Sequence, residues 1–173
     1  GGAVYLTDAD TLSVNRIFSS RLSYNKGAMV LHMLRKKLGA TDFYQGLRNY
    51  LTDSNLAFDY AKPEDFIPIM EAVSGEDLTE FFADWLYNQG YPTYAIGWNQ
   101  PNANEVSVNI NQTQSHPSVS YFEAGVPLRF IGTFGETLDV TLENSVNDEN
   151  FSVPVTFEVA DVVFDPEVDL ISR

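Results

Sequence analysis

Cysteine is absent from the 173 residues. Disulfides, thiolate metal sites and a cysteine nucleophile are therefore excluded, although this absence does not decide the compartment. Histidine is nearly as scarce, with two copies, His32 and His116. Bases are few as well: 10 Lys and Arg stand against 24 Asp and Glu, for a formal net charge of −14. So acidic a chain is a poor partner for nucleic acid or an anionic membrane. No apolar run approaches the ~20 residues of a membrane span. Neither a Gly-x-Ser-x-Gly nucleophile elbow nor a phosphate-cradling glycine loop is present. The acids form no convincing pair for glycoside or proton-transfer work. The chain opens Gly-Gly without a signal segment, which reads as the start of a piece cut from something longer.

The composition that remains is that of a globular protein, 44% hydrophobic and 13% aromatic, long enough for a core and for one or two domains. Charge divides it. Residues 1–90 hold 12 acids and 8 bases, whereas residues 91–173 hold 12 acids and 2 bases. This shift predicts a boundary near residue 91.

Ahead of that boundary the apolar period is helical. Val4, Tyr5 and Leu6 suggest a short strand, and Asp8, Asp10 and Ser13 read as turn formers. Apolar or small residues at 24, 27, 28, 31, 34 and 38 predict a helix from Tyr24 to Leu38. The basic run Arg35-Lys36-Lys37 suits its carbonyl end, and Gly39 supplies the stop. A second helix is expected over Asp42–Thr52. A third opens at Pro63, a proline at the first helical position, and stops at Ser74-Gly75. A fourth begins where Asp77 and Glu80 have capping-box spacing, with Leu78, Phe81, Phe82, Trp85 and Leu86 facing inward.

Beyond Gly90-Tyr91-Pro92 the period becomes two. Tyr94, Ile96 and Trp98 alternate with small residues, and Val106, Val108 and Ile110 with Ser107, Asn109 and Asn111. Leu138, Val140 and Leu142 form a further run, and Val153, Val155, Phe157 and Val159 another. Turn formers at 101–104, 132–135 and 144–150 separate these runs. Half-polar, hairpin-linked strands predict an antiparallel β-sandwich of immunoglobulin-like kind. The expected fold class is thus α+β and multidomain, with about four helices over 1–90 and a sandwich over 91–173.

One stretch carries a candidate for chemistry: Tyr24-Asn25-Lys26-Gly27-Ala28. Taken alone, Tyr24 reads as a partly buried aromatic with a satisfied hydroxyl. Gly27 costs a helix roughly 1 kcal/mol relative to alanine, which a close backbone approach would explain. Lys26 reads as solvated or paired with an acid, with no chemistry of its own.

This stretch is followed by Gly39, Phe43, Gly46, Tyr50 and Pro63-Glu64-Asp65-Phe66. Then come Ser74-Gly75-Glu76-Asp77-Leu78, Phe81-Phe82, Trp85 and Gly90-Tyr91-Pro92. In this order, over about residues 20–98, the chain resembles the aminopeptidase N family of zinc peptidases, the gluzincins. In that family a Tyr-x-Lys-Gly-Ala element follows the zinc site, and its tyrosine helps to bind the oxyanion of the tetrahedral intermediate. The resemblance gives that role to Tyr24. It also implies a peptide substrate, the remainder of a catalytic domain as partner, and zinc in the parent protein. A catalytic zinc of this type needs His-Glu-x-x-His on a helix and a further acid. His32 and His116 lie in different predicted domains and in no such motif, so no zinc is expected within these residues and the piece alone is expected to be inactive. The peptidase resemblance and the asparagine-rich sandwich together predict an extracellular or periplasmic home. A different reading is a non-catalytic protein- or glycan-interaction module on the same scaffold, with Trp98 or Tyr121 marking its surface.

Overall fold

The computed structural model describes residues 2–173, and its N-terminal half is helical. A 3-10 turn, Asp10–Leu12, leads to the one-turn helix α1, Val14–Ile17. The strand expected at Val4–Leu6 is not formed. The amides of Val4 and Tyr5 instead share the carbonyl of Leu86, at 3.1 and 3.0 Å.

A π-helical turn, Ser20–Lys26, runs directly into α2, Gly27–Thr52. The helix expected from Tyr24 therefore starts four residues earlier, and not as an α-helix. The two helices expected over 24–38 and 42–52 are a single element broken at Gly39, whose φ of 77° and ψ of 158° lie outside helical space. Glycine takes up that positive φ without a Cβ penalty.

Helix α3, Pro63–Ser74, has the expected ends. Asp65 Oδ2 accepts the amide of Lys62 at 2.8 Å, and Gly75 closes the helix in the left-handed conformation. The last helix is shorter than its apolar pattern. α4, Thr79–Phe82, passes at once into a second π-helical turn, Ala83–Tyr87. No side chain caps α4; Asp77 instead accepts the amide of Thr79, two residues on, at 2.9 Å.

The helices close over Leu34, Met70, Leu78, Phe82 and Trp85, all nearly or wholly buried. Val119 and Phe122, from far along the chain, belong to the same core, and the Phe122 ring lies 4.6 Å from that of Trp85.

Six strands follow: β1 Pro92–Asn102, β2 Glu105–Gln114, β3 Ala124–Gly132, β4 Thr137–Asn144, β5 Glu149–Pro154 and β6 Val159–Phe164. They form two antiparallel three-stranded sheets, ordered β1-β2-β5 and β4-β3-β6. Val106, Val108 and Ile110 of β2 meet Val126, Leu128 and Phe130 of β3 in one buried cluster, the inward half of each strand's alternation. The single run expected over Val153–Val159 is two strands in different sheets, joined through Val155–Glu158. The central strand β3 was not expected at all.

Candidate functional site

The surroundings of Tyr24 begin with Ser19, an extended residue whose Oγ accepts the amide of Leu22. Leu22 is buried and pins the turn to the protein. The amide of Tyr24 then reaches back five residues to the carbonyl of Ser19 at 3.3 Å, the π spacing. Such turns are rare and often sit at functional sites. The Tyr24 side chain emerges 56% exposed, and no hydrogen bond among the described residues engages its hydroxyl. The half-buried, satisfied phenol expected of Tyr24 taken alone is thus not what the structure holds.

Tyr24 stands at an open cavity of about 550 Å³ that is lined mainly by apolar groups, among them Leu31, Leu47, Tyr50, Phe66 and Phe82. α2 supplies the first wall, α3 the second, and α4 the floor. The helices can approach this closely because Gly46 faces the fully buried Met70 without a side chain.

Lys26 is neither solvated nor paired with an acid. Its Nζ donates to the carbonyl of Gly2 at 3.2 Å and is 3.5 Å from that of Asn88. Burial, aided by the charge of Arg21, pulls its pKa down to about 8. Gly27 is not demanded by a close approach either. A Cβ there would meet Val4 Cγ1 at 3.7 Å and the Leu22 carbonyl at 3.9 Å, ordinary contacts.

Neither histidine is disposed to bind a metal. His32 Nε2 lies 2.7 Å from Asp169 Oδ1, and Arg35 donates to Nδ1 at 3.2 Å. An arginine can only donate, so Nδ1 accepts and Nε2 carries the hydrogen to Asp169. His116 bonds Ser118 Oγ at 2.9 Å, far along the chain. Among the described residues no three His, Cys, Asp or Glu side chains are grouped to hold a metal ion. The residues present therefore do not fit a catalytic zinc.

A second cavity, about 600 Å³, lies between the helices and the β4-β3-β6 sheet and is walled by Lys36, Glu80, Trp85, Glu123 and Glu143. Close to Glu80 and Glu123 is Asp84, only 4% exposed, with Oδ2 lacking a partner. Burial first, then the charges of Glu80 and Glu123, push its pKa up to about 7, against a backbone hydrogen bond from Glu123. The sequence signal for Asp84 was a lone acid inside the run Phe81-Phe82-Ala83-Asp84-Trp85. Tyr121, expected to mark an exposed surface, is tied down: its hydroxyl lies within hydrogen-bond reach of two acceptors, Asn144 Oδ1 and the carbonyl of Val146, between which its one proton is shared. Trp98 is 37% exposed on β1. No described helix is long and apolar enough to cross a membrane.

Residues 7–85 match the family model of the Peptidase family M1 domain. Aminopeptidase M1-C of Oryza sativa subsp. japonica is 39% identical over 83 residues, 48% of this chain and 9% of that protein. Probable aminopeptidase 1 of Saccharolobus solfataricus is 27% identical over 152 residues, 88% of this chain and 15% of its own length. The chain thus spans a small fraction of the curated relatives it matches. In fold it resembles the crystal structure of Legionella pneumophila aminopeptidase A in complex with aspartic acid, with a TM-score of 0.71 at 13% identity, over 93% of this chain and 19% of that one. The fold likeness takes in helices and sheets together, whereas the family match ends with the helices. The helical half thus resembles a stretch of the Peptidase family M1 domain, and the chain as a whole shares its fold with part of an aminopeptidase.

Proposed function

We propose that this chain supplies one wall of an aminopeptidase active site and that Tyr24 is its catalytic residue. As water adds to the scissile carbonyl of a peptide, the carbonyl oxygen gains charge, and the Tyr24 phenol donates a hydrogen bond to it. A phenol carries its proton at neutral pH and is able to donate. The observation that carries this reading is the placement of Tyr24: exposed, its hydroxyl unengaged among the described residues, at the edge of an apolar cavity.

On this reading the zinc of the longer protein is bound by residues outside these 173, and the remainder of the catalytic domain meets the face bearing Tyr24. The charge shift near residue 91 and the core shared by the two sheets support a β-sandwich that follows the helices and lends them Val119 and Phe122. The asparagine-rich sheets suit an extracellular or periplasmic setting.

The test is Tyr24→Phe in the full-length protein. Loss of one oxyanion donor typically costs about 10²–10³ in rate, so kcat should fall by that factor with zinc content unchanged. A fully active variant would remove Tyr24 from the mechanism.

A further inference from the structure

The turn that carries Tyr24 is fastened on both sides by cations. Lys26, two residues beyond it, holds the carbonyls of Gly2 and Asn88. Ser23, immediately before it, is held by Arg16. Arg16 Nη1 is 3.4 Å from Ser23 Oγ, and that hydroxyl donates to the Arg16 carbonyl at 3.3 Å. Arg16 Nη2 meanwhile donates to the carbonyls of Ala3 and Tyr5, at 2.8 and 2.9 Å. Both flanks of Tyr24 are therefore bolted to one strap, residues 2–5. That strap is anchored in turn at the second π-helical turn, through the Leu86 carbonyl and through the Tyr5 ring, 4.9 Å from that of Tyr87.

Holding long cationic side chains still costs up to about 2 kcal/mol each in rotamer freedom; Arg16 has Asp10 Oδ1 at 3.6 Å from its Nε to offset this, whereas the partners of Lys26 are backbone carbonyls. What this arrangement secures is geometry. A π-helical turn holds one residue more than the α-helical turn it interrupts. Relaxing it to α spacing would rotate Tyr24 about the axis by one residue step, roughly 100°. The phenol would then leave the turn in a different direction.

We propose that Lys26 and Arg16 are positioning residues for Tyr24, which lock the turn Ser20–Lys26 against the strap 2–5 and so aim the phenol. This rests on the reading of Tyr24 as oxyanion donor. Neither cation lines the cavity at Tyr24, so their loss acts on turnover and not on substrate affinity. Misplacement of a catalytic group by about 1 Å can cost of the order of 10² in rate.

The experiment uses the full-length, zinc-loaded protein with alanyl p-nitroanilide as substrate. Lys26→Met and Arg16→Met should each lower kcat about tenfold or more with KM within twofold, and Lys26→Arg should recover much of the loss. In a Tyr24→Phe background Lys26→Met should cost almost nothing further. An equal loss in both backgrounds would mean that Lys26 acts on something other than Tyr24, and would overturn the proposal while leaving the function of Tyr24 standing. A fluorotyrosine placed at position 24 gives a readout independent of rate. Its fluorine signal should shift or broaden in Lys26→Met and return in Lys26→Arg. Should Tyr24→Phe prove fully active, the catalytic reading fails by itself and the fluorine signal decides the positioning. An unchanged signal would sink it. Where Lys26→Met does not fold, Arg16→Met, which keeps the lysine, decides by the same two readouts.

Discussion

Asp169 receives His32 on one carboxylate oxygen at 2.7 Å and Lys36 on the other at 2.8 Å, joining α2 to a segment 137 residues further along the chain than His32. Asp169 is itself braced, since its amide donates to Asp165 Oδ1 at 2.7 Å. This small bridge ties the helical half to the end of the β half. Burial works against its charge, but the hydrogen bonds from Lys36 and His32 outweigh that and hold the carboxyl below its usual range.

Removing the charge of Asp169 should therefore loosen the junction. Exposed pairs are worth up to about 1 kcal/mol, and breaking buried ones costs about 3–5 kcal/mol. With Asp169 largely buried and Lys36 half exposed, Asp169→Asn is expected to cost about 2 kcal/mol in urea denaturation. The pKa of Asp169 is depressed on folding, so its contribution is present above the unfolded carboxylate range, near pH ~4, and fades as pH falls through the folded value. Wild type and variant should converge in acid. A difference that persists there would mean that the loss is one of packing and not of charge.

Two glycines on α2 should answer alanine in opposite ways. At Gly46 a new Cβ would overlap Sδ and Cε of Met70, a fully buried side chain. Overpacking of this kind costs about 1–3 kcal/mol. At Gly27 the contacts are ordinary and φ is −59°, so alanine should stabilise by up to ~1 kcal/mol. Thermal unfolding of the two variants separates these cases, and a stabilised Gly46→Ala would refute the close approach of α2 to α3.

What could be read in advance was whatever depends on neighbours in sequence. Pro63 and Gly75 end α3 by their own backbone geometry, and Gly39 breaks α2 for the same reason. The π-helical turns could not be read, because Ser20–Lys26 and Ala83–Tyr87 are each too short for apolar spacing to tell bonds that span four residues from bonds that span five. Strand β3 has clear alternation at Val126, Leu128 and Phe130, yet Gly125 and Pro127 within it mask the signal, since proline is unusual in a central strand. The run from Val153 to Val159 read as a single strand because its alternation continues through the crossing between sheets. The anchoring of Lys26 is not legible in the sequence, because its partners are backbone carbonyls 24 and 62 residues away, which no side-chain pattern announces.

The same lysine should leave a mark on stability. Its pKa falls from about 10.5 to about 8 on folding, so between those values the unfolded chain binds more protons than the folded one. Stability must then rise with pH across that window and level off above it. Lys26→Met should flatten this rise, and chemical denaturation at intervals from pH 7 to pH 11 reads the slope directly. Equal slopes in variant and wild type would show that Lys26 keeps an ordinary pKa.

Asp84 should act in the reverse sense. Its pKa is raised on folding from 3.8 to about 7, so between these values the folded chain holds the extra proton. Stability falls as pH climbs through that window, by as much as ~1.4 kcal/mol per unit, and stays low above pH 7, where a charged oxygen without a hydrogen-bond partner remains buried. Asp84→Asn keeps an oxygen to accept the amide of Glu123 but cannot ionise. It should be more stable than wild type at pH 8, with the advantage shrinking towards pH 5. The neighbouring charges sharpen the test, since Glu80 and Glu123 both raise the cost of ionising Asp84. Glu123→Gln should therefore weaken the pH dependence without abolishing it. Parallel curves for Asp84→Asn and wild type from pH 5 to 8 would show that Asp84 is ionised and solvated throughout, and that the helix–sheet junction opens around it.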